Sequence, residues 1–259
     1  MEFANFHHAY SHVVRDLVND PEYHYSRDGF PVAERIGVRF RVADASQRIP
    51  VVPTRRLDIA ACFAEALRCL SDHEDHLRAV ADQLRDNPDS ARADVPGSLG
   101  LCFMIREAAL HCVAFVEADD VYQGMAHGVF TFTFLQELLA RELGVAVGSY
   151  THSVGSTHLS DSDRERATAM LADPSFWDAD APRFPSMPDG DNWPYVRAAF
   201  AQQAAPGLPE YWAQVAVLFE LDGTLRRGEP VGDELVARLS PLYRWLVQHR
   251  LPSTILVGS

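Results

Sequence analysis

Between Asp94 and Ser160 the pattern of apolar and polar positions defines four elements in succession. Leu99–Ile105 and Leu110–Val116 are apolar runs of strand length on either side of a short polar turn, the signature of a β-hairpin. Val129–Leu143 then carries apolar residues at helical spacing, and Val145–Leu159, rich in Val, Ser, Thr and Tyr, reads as a third strand. Upstream, Phe3–Leu17 has a helical period, Arg27-Asp28-Gly29 marks a turn, and Val32–Val42 alternates as a strand does. Ile49–Leu70 predicts a short extended entry and then a helix with Asp58 in the cap region, and His76–Arg85 a further helix.

After Ser160 the pattern changes. SDRERATAML predicts a helix, a Pro-rich stretch follows from Pro174 to Pro194, and Tyr195–Ala204, Glu210–Leu221 and Asp233–Arg250 read as helices. The expected fold class is α+β: a mixed, largely buried sheet with a long central helix. The expected organisation is a core over 1–172, a Pro-rich linker over 173–194 and a helical C-terminal part over 195–259 packed on that core.

Composition narrows the function classes. The chain has 259 residues, is 47% apolar and carries a net charge of −13. That charge disfavours polyanionic partners, so nucleic-acid binding is not expected. No apolar run reaches membrane-spanning length, and the N-terminal MEFANFHHAYSHVV lacks the basic start and apolar centre of a signal peptide. Cys62, Cys69, Cys102 and Cys112 sit in apolar runs without a C-x-x-C pair, which predicts buried reduced thiols, no metal and a cytoplasmic setting. FELDGTL at Phe219–Leu225 resembles a D-x-D-G-T phosphatase motif, but Glu220 stands at the nucleophile and no strand precedes it; it reads as a helix end and a turn.

The motifs in the central stretch resemble the thymidylate synthase family, which includes the pyrimidine hydroxymethylases. LHCVAFVEADDVYQG is similar to the strand that runs into the family's R-S-x-D-x-x-x-G. GVFTFTFLQELLARELGVAVGSYTH is similar to its central helix and following strand, VGSTHLS to its G-x-x-H-x-Y, and LRDNPDSARADVPG to the segment before its nucleophile. The resemblance covers roughly Phe3 to Ser160. It implies a dimer packed sheet on sheet, and candidate site residues at the matching positions. Asp120, Gly124 and His158 are retained, Glu65 matches the active-site glutamate, Arg27 is nearest to the family's phosphate-closing arginine loop, and Arg92 is what remains of a pair of arginines that reach across the dimer.

The departures fall on the chemistry. Counting by the family's spacing places Gly97 at the nucleophilic cysteine, Glu117 at a phosphate-binding arginine, Gly128 at the residue that reads the pyrimidine edge and Ser160 at a ribose-binding tyrosine. The insertion that carries the family's aromatic wall is missing after Ser71. Cys102 lies on the opposite strand face from Gly97 and cannot replace the thiol. A carboxylate at position 117 would repel a phosphate, unless it closes the pocket in an ion pair with an arginine such as Arg92. His152 and His158 share a strand face, without a third metal ligand in view.

Two functions remain open. One is a thymidylate-synthase-like pseudoenzyme, a binding or partner subunit that forms a homodimer or a heterodimer with a related chain, in modified-nucleoside biosynthesis. The other is a repurposed transferase that moves a methyl or hydroxymethyl group to a non-phosphorylated acceptor; methylenetetrahydrofolate is the implied donor only if the family's activity is partly kept. Glu65 and His158 are its candidate catalytic residues, and Arg27, Arg92, Glu117, Asp120 and Gly128 the candidate ligand contacts.

Overall fold

The fold, taken from a computed structural model, is described for residues 1–27, 29–174, 183–201, 207–250 and 256–257. It is α+β. In chain order the elements are β1 (Glu2–Phe3), α1 (Phe6–Asn19), β2 (Tyr23–Arg27), β3 (Phe30–Val42), a 3-10 turn (Pro53–Arg55), α2 (Ile59–Asp72), α3 (Glu74–Asp86), β4 (Ala91–Ala93), β5 (Gly100–Arg106), β6 (Ala109–Asp120), α4 (Met125–Leu143) and β7 (Ala146–Ser160). They continue with α5 (Asp161–Leu171), α6 (Trp193–Phe200), α7 (Glu210–Arg226), β8 (Val231–Gly232), α8 (Asp233–Ala237), α9 (Pro241–Arg250) and β9 (Leu256–Val257).

One mixed sheet has the order β1-β3-β7-β6-β5-β4, with β2 added on β3. The predicted hairpin is β5–β6, paired from Gly100↔Phe115 to Arg106↔Ala109. Its turn residues Glu107 and Ala108 have φ of 51° and 56°, the doubly left-handed turn whose twist matches the strands. β6 and β7 are parallel, and α4 is the crossover that parallel pairing requires. Every residue from Val129 to Ala140 in α4 is buried, so this helix is the centre of the core rather than an amphipathic cover. Gln136 Nε2 donates to the carbonyls of Leu110 (2.7 Å), Gly148 (3.2 Å) and Ser149 (3.2 Å), where the β6–β7 register shifts between Leu110 and Cys112. The bulge would otherwise leave those carbonyls without partners in an apolar layer.

Local chemistry sets the helix ends. The Asn5 side chain accepts from His8 N at 3.1 Å and caps α1. Asp58 caps α2 as predicted, accepting from Ala61 N at 3.1 Å. Gly144, with φ 68°, ends α4.

The helices cover one face of the sheet. Phe40, Val42, Phe103, Cys112, Ala114, Tyr150 and Val154 are buried beneath them. The other face carries Arg39, Arg41, Val113, Phe115, Glu117 and Ser153, with Phe115 45% exposed.

Several expectations are corrected in detail. β2 is an unpredicted strand on the outer side of β3, and α4 begins at Met125, four residues before the predicted start. Asp233–Arg250 is two helices: residues 238–240 break it, and Pro241, which has no N–H to give, opens α9. FELDGTL is not a helix end and turn but lies within α7, which continues to Arg226. Residues 202–204 of a predicted helix and 175–182 of the Pro-rich stretch lie outside the described residues. The described part of that stretch reaches into the core, where the Phe184 ring packs against Phe130 (5.8 Å) and Tyr243 (5.7 Å).

A fully buried ion pair sits at this junction. Arg48 donates to Glu137 of α4, and both side chains have no exposed surface. Glu137 Oε1 also accepts from Met187 N at 2.8 Å, and the Arg48 guanidinium lies 5.1 Å from the Phe184 ring. The pair therefore fastens the segment after β3 and the segment before α6 to the central helix. Among the described residues no helix is long and apolar enough to cross a membrane.

Candidate functional site

Three of the residues singled out in the sequence meet at one end of the sheet. Register places Glu34 of β3 opposite His158 of β7, and His158 opposite Asp120 of β6. His158 Nε2 is 3.8 Å from an Asp120 carboxylate oxygen, and its Nδ1 is 3.4 Å from Arg27 Nη1 at the end of β2. Burial, first, lowers the His158 pKa from the usual imidazole range; Asp120 works against this and Arg27 with it. The imidazole is therefore held neutral near pH 7, able to give and to take a hydrogen bond.

Asp120 has a second task. Its Oδ1 accepts from Tyr122 N at 2.8 Å and Gln123 N at 2.7 Å, which turns the chain from β6 into α4. Gly124 closes this turn, and a Cβ there would lie 2.8 Å from Asp119 Oδ1, so a larger residue would require the Asp119 side chain to shift. Glu34, absent from the sequence reading, is central to the array: Oε1 accepts from Ser156 Oγ and, at 3.3 Å, from Tyr25 OH.

His152 shares the strand with His158 but takes a different partner. Its Nε2 lies 3.3 Å from Asp119 Oδ2 and its Nδ1 2.7 Å from Tyr150 OH, and it is fully buried. Burial pushes the Tyr150 phenol well above its usual pKa, so it stays neutral beside His152 Nδ1. Among the described residues no group of three or more His, Cys, Asp or Glu gathers in a way that could hold a metal ion.

Glu65 has a partner that the sequence did not point to. Its Oε2 lies 3.1 Å from His127 Nδ1, in the first turn of α4. The hydrogen bond from His127, first, lowers the Glu65 pKa against the opposing effect of burial, and Arg68 adds to the lowering. Glu65 also lines a cleft of about 350 Å³ with Arg68, Phe200, Phe219 and Arg226. Among the described residues no hydrogen bond or ion pair joins Glu65 to Arg27, Asp120 or His158.

The remaining candidates lie elsewhere. Gly97 is in the turn before β5 with φ 81°, and a Cβ there would be 3.9 Å from the Phe132 ring. Gly128 borders the same ring, at 3.8 Å. Glu117 is exposed, three residues before Asp120 and so on the other strand face. The alternative of an ion pair with Arg92 is not realised. Arg92, two strands away on β4, binds Asp94 Oδ1 through Nε (3.0 Å) and Nη2 (2.7 Å), and Nη2 also donates to the Leu99 carbonyl.

The thiols are ill-suited to nucleophilic work. Burial drives Cys62 and Cys112 far above the usual thiol pKa and raises Cys69 to about 11. Cys102 is half-buried on the sheet face away from the helices. The sequence matches no known protein-family model.

Proposed function

We propose that this chain is a non-covalent binding or partner subunit on a thymidylate-synthase-like plan, working in the cytoplasm in modified-nucleoside biosynthesis. One observation carries the reading: the position expected of the nucleophile is Gly97, in a left-handed turn, and the ring of Phe132 lies against both it and Gly128. A covalent pyrimidine adduct needs a thiolate at that place, and the buried thiols of Cys62, Cys69 and Cys112 are held protonated. What remains at the sheet end, Arg27, Glu34, Asp120 and His158, is equipped to hold a polar group by hydrogen bonds. The open sheet face around Phe115 supports pairing with a second chain, either a copy or a related subunit.

The test is mass spectrometry of the intact chain incubated with 5-fluoro-dUMP and methylenetetrahydrofolate. An unchanged mass is expected; an added mass that survives denaturation overturns the proposal.

A second reading, one-carbon transfer to a non-phosphorylated acceptor, is favoured by the Glu65–His127 pair, a carboxylate and an imidazole in contact beside a cleft. The residues present do not fit a folate donor of the family's kind. His73 alone separates α2 from α3, so the aromatic wall is absent, and no step through the donor is assigned.

A further inference from the structure

The turn that presents Asp120 to His158 has another side. Between it, the 3-10 turn Pro53–Arg55 and α5 lies a cleft of about 490 Å³, lined by Thr54, Arg55, Arg56, Tyr122, Gln123 and Arg166. Three guanidinium groups meet there, in a chain whose net charge is −13.

Arg55 is the fixed member. Its Nε donates to Tyr10 OH at 3.1 Å, its Nη2 to the Tyr122 carbonyl, and its guanidinium carbon lies 4.5 Å from the centre of the Tyr122 ring. Among the described residues neither Arg55 nor Arg56 forms an ion pair with a carboxylate. Tyr10 does not supply the missing charge, since burial raises its pKa and keeps it a neutral phenol.

Arg56 follows in a left-handed conformation, φ 49° and ψ 46°, with an exposed side chain. That backbone costs a residue with a Cβ about 1–2 kcal/mol.

The carboxylates close by are engaged. Asp163 takes Arg166 at 3.2 Å and Gln123 Nε2 at 2.7 Å, Asp120 Oδ1 is held by the two turn amides, and Asp173 accepts from Thr54 Oγ1 at 3.0 Å. A part-buried guanidinium with no counter-charge among the described residues, flanked by Arg56 and by the Asp163-paired Arg166, is suited to an anion from outside.

We propose that this cleft binds a small molecule through a multiply charged oxyanion group, a phosphate or a cluster of carboxylates, with Arg55 as the floor and Arg56 and Arg166 as movable arms. Planar guanidinium groups suit either oxyanion, and the volume suits a small metabolite. The proposal goes beyond the function stated above, and the cleft shares no lining side chain with the array of Arg27, Glu34, Asp120 and His158.

Isothermal titration of the full chain with pyrophosphate and, separately, with citrate tests it, against sodium chloride at matched ionic strength. Saturable one-to-one binding of either probe is expected, and the tighter of the two identifies the oxyanion class. Arg56→Gln and Arg166→Gln should each weaken it roughly tenfold, the loss of one charge-assisted contact. Arg56→Gln should leave the melting temperature unchanged, because among the described residues that side chain makes no hydrogen bond or ion pair. No saturable binding of either probe, or affinity unchanged in the double variant, overturns the assignment.

Discussion

The Phe132 ring sits 3.9 Å from the point where a Cβ on Gly97 would stand. The same ring is 3.8 Å from the corresponding point on Gly128, and Phe132 is only 2% exposed. Two positions expected to carry a nucleophile and a base-reading side chain are thus bare, and an apolar ring fills the space beside both. The first prediction concerns this place. Gly97→Cys should form no adduct with 5-fluoro-dUMP by intact-mass analysis. It should also destabilise the fold in urea by about 1–2 kcal/mol, because φ of 81° is left-handed and strained for cysteine. Adduct formation by this single variant would mean that the site still holds a pyrimidine nucleotide in a reactive pose.

Breaking the buried pair should be costly from either side. Arg48→Met or Glu137→Leu leaves a charge in a site with no exposed surface, an expected loss of about 3–5 kcal/mol in denaturant unfolding. The double variant should recover much of that loss, since no unpaired charge remains. Additive losses would show that the charges do not depend on each other.

Acid should weaken the fold in two stages. His158 has a folded pKa below its unfolded value of about 6.5, so the unfolded chain binds the proton first and stability falls as pH drops below that value. Glu65 also has a lowered folded pKa; its contribution is present above its unfolded value of about 4.3 and is lost as pH falls through the folded one. His158→Gln should flatten the melting temperature between about pH 7 and 5.5, and Glu65→Gln should flatten only the more acid part. A His158→Gln profile parallel to the parent would show that this imidazole is not protected from protons.

Glu117→Arg should change monomer stability by no more than about 0.5 kcal/mol, because Glu117 is exposed and Arg92, the alternative partner, is held by Asp94. Phe115→Asp, on the same sheet face, should lower self-association in analytical ultracentrifugation while the melting temperature of the monomer stays put. A parent chain that sediments only as a monomer, mixed or unmixed with a related subunit, would remove the support for pairing through this face.

What the sequence revealed and what it hid follow from range. The β5–β6 hairpin, α4 and β7 are legible because burial on one face, or on all faces, writes a period into neighbouring residues. β2, with the sequence YHYSR, is an exposed edge strand, so nothing imposes an apolar alternation on it. The break before α9 is written in Pro241, but the helical period on both sides of it masks the signal. Asp120 and His158 could be named in advance from a resemblance in their motifs. Their companions Glu34 and Ser156, and the Glu65–His127 pair, are joined only by folding across distant segments, and no local signal marks them.

The position of β3 has a consequence for assembly. β5, β6, α4 and β7 follow one another closely, so their contacts close short loops, whereas β3 lies far upstream and must be brought beside β7. Until it does, β7 presents a long row of unpaired amides and carbonyls, the template on which a second unfolded chain can add. The first forty or so residues therefore act as a built-in shield for the sheet, and a chain that loses them should form aggregates before it loses its central helix.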